Sequence, residues 1–212
     1  MKSAALSLIL MAVSHFAAAA EPKWETVEEV LAVVGDTPIL HSDVELALLL
    51  DIVDREPVET HRSRVLDARI RLEIEFRDLE DGGLLYRLEL DTAKVRESLI
   101  AGAGGEEALD RNLSANGLVW PDVDELVLRI AAVNAFVDQR LLPRISVSME
   151  EIEAAYQDLL VKEIAASDKS IPPLATVSGQ LRQILVARKL NDEIERWVER
   201  ASERQEVMRF SR

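Results

Sequence analysis

The sequence predicts a mainly α fold carrying one small β-hairpin, and three patterns predict it. Apolar residues recur at helical spacing through most of residues 43–142 and again through 177–204. Two short β-prone runs, Val30–Val34 and Thr37–Leu40, flank the turn dipeptide Gly35-Asp36. The chain has no Cys, so no disulfide framework shapes it, and a hydrophobic content of 48% must supply the core by packing alone.

Residues 1–20 hold one charge, Lys2, followed by an uncharged, largely apolar run that ends in the small residues Ala18-Ala19-Ala20. That is the pattern of a secretory signal peptide, so these residues are set aside from the fold and the mature chain is expected in the periplasm. The strongly apolar part is shorter than the ~20 residues that span a bilayer, so no membrane span is expected in the mature form. A Cys-free exported protein suits that compartment better than a disulfide-built extracellular scaffold. The formal charge of −14 becomes one unit more negative once Lys2 is removed. Such acidity argues against nucleic acid and anionic lipid as partners, since both need concentrated positive charge.

The elements follow in order. After the hairpin, Ser42 is placed to cap a helix over about Asp43 to Val53, apolar almost all round and therefore expected to be covered on several sides. A second helix is expected over about Thr60 to Leu79. Its stretch Ile70-Arg71-Leu72-Glu73-Ile74-Glu75-Phe76 also has the period of a strand, but length and charge pairing favour the helix. Asp81-Gly82-Gly83 ends it. Asp91 or Thr92 caps a short helix containing Val95, Leu99 and Ile100, and another runs from about Glu106 to Ala115, stopping at Asn116-Gly117. Pro121 opens an amphipathic helix expected to reach Leu142, with Pro143 as its stop. Ser148-Met149-Glu150-Glu151 is a capping box for a helix through Tyr156. Residues 162–178, with a Pro pair and small polar residues, read as a flexible loop, and a long helix follows over about Val177 to Arg204. Glu206 to Phe210 is a candidate strand that returns to the hairpin.

This order of parts resembles the SurA-type periplasmic chaperones. The hairpin leading into Ser42-Asp43 is similar to the family's opening. Residues 112–157 resemble its helical middle, ending in an element carried here by Ile145, Val147, Glu151 and Tyr156. Residues 180–210 resemble the C-terminal helix and strand that fold back on the N-terminal part. The resemblance implies four parts: a signal peptide at 1–20, an N-terminal helical chaperone segment at 21–160, a linker at 161–176 and a C-terminal helix and strand at 177–212. It implies an ATP-independent holdase that binds unfolded outer-membrane or secreted proteins in an apolar helical cradle. Family members commonly carry parvulin prolyl-isomerase domains at the position of that linker. The interval here is shorter than the ~40 residues below which a domain rarely folds alone, so isomerase chemistry is not expected. Two other readings are weighed: a non-catalytic adaptor or structural subunit of an envelope complex, and an isomerase-type foldase by family association only. A homodimer that exchanges the C-terminal strand stays open.

No catalytic, cofactor or metal residues are expected. His41 beside Ser42-Asp43 cannot form a triad, because sequence neighbours do not reach the required geometry, and it reads as a surface or cap-proximal residue. His61 reads as equally solvated. Asp122, Asp124 and Glu125 fall in a helix's first turn, where acids complement the dipole. Gly102–Gly105 lacks the Lys-Ser/Thr pair of a phosphate loop. The aromatic residues, Trp24 apart, are expected to serve as core or staple residues. The candidate client-lining residues are Leu46, Leu49, Leu50 and Val53 on the first helix, with Leu126, Ile130 and Val137 on the amphipathic one.

Overall fold

A computed structural model describes residues 28–53, 58–161 and 172–210. Among these the fold is mainly helical with a small antiparallel sheet, as the sequence predicts. The elements are β1 (Val30–Val34), β2 (Thr37–Leu40), α1 (His41–Leu49), α2 (Val58–Asp81), α3 (Thr92–Gly102), α4 (Glu106–Ala115), α5 (Trp120–Phe136), α6 (Met149–Ala155), α7 (Leu174–Ser202) and β3 (Val207–Arg209). The expected signal peptide lies outside the described residues, as does most of the linker. No helix among the described residues is long and apolar enough to cross a membrane.

The hairpin turns on Gly35, whose φ of +60° falls in the region glycine enters without cost. A Cβ there would also meet the Arg77 guanidinium at 3.0 Å. Arg77 in turn donates to Asp36 and to Thr37 Oγ1, the latter at 2.6 Å, so the turn is held on α2 from outside. The sheet order is β2-β1-β3, with β1 in the middle and both neighbours antiparallel to it. The C-terminal strand thus pairs with the hairpin inside one chain. Ala32, Val34 and Ile39 turn inward and pack with Ile70, Ile74 and Ala201.

Helix α1 departs from expectation at both ends. Ser42 is inside the helix; Leu40 is the cap residue, and the Asp43 carboxylate accepts its N–H at 2.8 Å. At the other end Asp51 takes a φ of +51° and Ile52 N–H reaches back to the Ala47 carbonyl, closing the helix short of Val53. Downstream, Asp91 caps α3 through Lys94 N–H, Gly117 at φ +70° follows α4, and the reciprocal Ser148–Glu151 box opens α6. The amphipathic helix does not run unbroken to Leu142. It becomes a wide π-turn over Val137–Leu141, then a 3₁₀ turn at Leu142–Arg144.

The centre of the molecule is α2, a helix despite its strand-like alternation. Helices α1, α5 and α7 and the sheet all pack on it, so its charged residues are buried along with its apolar ones: Arg69 is 5% exposed, Glu73 2% and Glu75 6%. Each is answered by a neighbouring charge. Arg129 of α5 donates to Glu73 at 2.8 Å and lies over the Phe76 ring. Arg69 faces Asp43 of α1 at 3.7 Å, and burial lowers its pKa from the ordinary arginine value. Arg71 bridges Glu75 and Glu195 of α7, each at 2.9 Å. Near the end of α2, Asp78 accepts from Trp197 Nε1 at 2.8 Å and pairs with Arg204, while Trp197 stacks on Phe136 with centroids 4.5 Å apart.

Breaking one partner of a buried pair leaves a charge stranded. Glu73→Ala is expected to lose about 3 kcal/mol in urea unfolding, and Glu73→Met with Arg129→Met markedly less. Burial holds the Glu75 carboxyl above its ordinary pKa in spite of its hydrogen bond from Arg71. A carboxyl that binds its proton more tightly when folded stabilises below the unfolded-state value of about 4.3. That contribution is lost as pH rises through the folded value. Glu75→Gln is therefore expected to gain stability relative to the unsubstituted protein as pH rises above about 4. Urea midpoints that differ by a constant amount across that range would refute the assignment.

Candidate functional site

Of the seven residues singled out from the sequence, three are core. Leu46, Leu50 and Leu126 are each 3% exposed and pack together with Leu109, Leu113 and Leu118. They are out of reach of any client, because the apolar circumference of α1 is consumed by α2, α4 and α5. Leu49 is half-buried against the same cluster, and Val53 against Val44, Ala47 and Val65. The cradle expected along α1 is therefore filled by the protein itself.

Ile130 and Val137 are placed differently. They lie in a half-open cleft of about 580 Å³ between α3, the end of α5 with its π-turn, and Ile194 of α7. Val95, Leu99 and Val133 complete an apolar floor. Glu89, Asp91, Lys94, Asn134 and Asp138 give it a polar rim in which acids outnumber the one base. Hydrogen bonds and ring contacts tie the walls of the cleft to one another. On one side, Trp120 Nε1 donates to Asp110 at 2.9 Å and carries the Arg96 guanidinium 4.7 Å above its ring, tying α3 and α4 to the start of α5. On the other, the Phe136–Trp197 stack and the bonds to Asp78 fix α5 and α7 on α2.

The remaining wall is the segment after α2, and here the π-turn has a role that no sequence pattern announced. Gln139 lies in it and reads the backbone of Glu89 twice, donating to its carbonyl at 2.8 Å and accepting from its N–H at 3.2 Å. Arg140 donates to the Arg87 carbonyl at 3.4 Å. A regular helix would rotate these side chains to other azimuths, so the wide turn aims them at the segment that closes the cleft. Nothing in the sequence hints at the turn, since Val137 and Leu141 keep the i, i+4 spacing of a regular helix through it.

The other residues considered from the sequence find structural roles. His41 is exposed at the start of α1, with Arg62 at 3.1 Å and Glu45 at 3.5 Å. His61 departs from the expected solvated state: it is half-buried, and its Nδ1 is enclosed without a hydrogen-bond partner. Asp122 accepts from Val119 N–H at 2.9 Å and closes the first turn of α5, while Asp124 pairs with Arg96 and joins α5 to α3. Phe76 and Trp197 are core, whereas Tyr86 is 95% exposed, contrary to the expectation for aromatics. Trp24 lies outside the described residues. Among these, no group of three or more His, Cys, Asp or Glu side chains gathers in a way that could hold a metal ion.

No protein-family model matches this chain, and neither does any curated protein.

Gln139→Ala removes both bonds to Glu89 and is expected to cost about 1–2 kcal/mol, at roughly 1 kcal/mol for each net hydrogen bond. Amide exchange at Glu89 should accelerate while exchange in α2 changes only by the global loss. Equal protection at Glu89 in both proteins would show that the wall stands without Gln139.

Proposed function

We propose that this protein is an ATP-independent holdase chaperone for exported chains, unfolded outer-membrane proteins among them, acting in the periplasm without covalent chemistry. The observation that carries the proposal is the half-open cleft, with an apolar floor and an acidic rim carried on packed helices. Apolar contact is non-directional, so a floor of this kind accepts the side chains of many sequences. The volume lies within the roughly 300–1,000 Å³ of ordinary ligand pockets, enough for a few side chains of an extended segment and not for a folded domain.

The magnitudes suit capture with release. Full burial of one Val or Leu side chain is worth about 1.5–3 kcal/mol. Three or four such contacts, offset by the cost of immobilising a flexible client, leave affinities around the micromolar range or weaker. No nucleotide is needed to undo binding of that strength. The acidic rim and the overall charge of −14 keep an occupied chaperone apart from its neighbours, which opposes co-aggregation.

Dilution of a urea-unfolded porin into buffer, followed by light scattering, tests the proposal. A molar excess of the protein should suppress scattering, and Ile130→Glu or Val137→Glu should weaken suppression at least threefold. Leu128→Glu, on an exposed position of the same helix, should act like the unsubstituted protein. Scattering unchanged by the native protein at molar excess would overturn the proposal.

A further inference from the structure

The two edges of the sheet are not alike. Hydrogen bonds from Gly35 N–H to the Glu206 carbonyl and from Phe210 N–H to the Leu31 carbonyl set the directions of the backbone groups. Residues 31, 33 and 35 of the middle strand face β3, so Ala32 and Val34 face β2. On β2 the outward residues are then Pro38 and Leu40. Pro38 has no N–H, and the N–H of Leu40 is taken by Asp43 Oδ2 at 2.8 Å. Both donors of that edge are removed, which is how natural sheets prevent further pairing.

The β3 edge has neither device. By the same alternation Val207 and Arg209 direct both N–H and C=O away from β1, and no described residue bonds to these groups. The strand contains no Pro, and its neighbouring side chains Met208 and Phe210 are apolar and about half exposed. Among the described residues one edge of the three-stranded sheet is closed to pairing and the other carries no such block.

We infer that the β3 edge adds an extended, apolar, β-prone segment of a non-native client as a fourth, antiparallel strand. Backbone pairing of this type gives affinity without demanding a sequence, and flanking apolar side chains such as Met208 and Phe210 set a mild preference. Unfolded outer-membrane proteins consist of segments of alternating apolar residues, which fit that preference. A second copy of this chain is the poorer occupant. Three residues at ~3.4 Å each give an edge only about 10 Å long, which can pair with a peptide but cannot by itself supply an interface of the size stable dimers use. Each copy would also bring a formal charge of −14. The inference deepens the holdase proposal by naming a second, backbone-directed contact, and its test reads peptide binding directly, apart from aggregation.

The probe is a capped, uncharged decapeptide of alternating Val and Thr, followed by fluorescence anisotropy at physiological salt. Val207→Pro removes one outward N–H of β3 without touching its bonds to β1, as Pro38 does on the opposite edge. It should weaken the peptide at least tenfold while the melting temperature moves by no more than a few degrees. With the unsubstituted protein, the peptide N-methylated at one set of alternate residues should bind as the parent does. N-methylation of the other set should weaken it at least tenfold. Equal affinities in the two N-methylated series overturn the inference whether or not Val207→Pro folds. A dimer seen by light scattering that Val207→Pro dissociates would give the edge to a second copy. Tighter peptide binding after deletion of residues 21–27 would give it to the chain's own leading segment. Either result overturns the inference. Suppressed aggregation with no peptide effect would sink the edge and leave the cleft standing. Edge binding without suppression would sink the holdase reading alone.

Discussion

Three charged side chains of one helix, Arg69, Glu73 and Glu75, are withdrawn from water, and the placement of the other helices follows from the need to answer them. An unpaired buried charge costs more than most single interactions return, so each partner is fixed in place along with the element that carries it. Arg129 fixes α5, Asp43 fixes α1, and the Arg71 bridge from Glu75 to Glu195 fixes α7. Apolar packing supplies the bulk of the driving force, but it is tolerant of rotation and slippage. Ion pairs with definite distances are not, and they set how α1, α5 and α7 sit on α2.

The local rules of the chain were well exposed in its sequence where a short-range signal decides the outcome. The hairpin around Gly35, the Ser148–Glu151 box, Asp91 as a cap and Gly117 as a stop depend on neighbours within a few residues, and all appear where the pattern puts them. Two boundaries did not, for reasons equally local once seen. Asp43 reaches back to Leu40 N–H and so starts α1 two residues before Ser42 would, and Asp51 enters the left-handed region and ends it early.

Tertiary placement was harder to read. The alternation of α2 resembles a strand because a helix covered on nearly every side buries residues without regard to period, its charges included. For the same reason the richest apolar surface, on α1, turned out to be the most thoroughly consumed. The residues that shape the cleft, Gln139 and Glu89, meet through backbone bonds across 50 positions of sequence. Nothing in composition or spacing marks such a pair. Val137 lines the cleft where α5 passes into the π-turn, and Ile130 joins it from two turns earlier on the same helix.

The middle position of β1 has a kinetic corollary. One of its neighbours is only a tight turn away, while the other arrives from residues 207–209, and Arg209 meets Asp67 across 142 positions. A ribosome delivers these partners at different times. Until residue 209 emerges, a growing chain presents β1 with a bare flank and Asp78 without Trp197 or Arg204, so completion waits on the last-made segment.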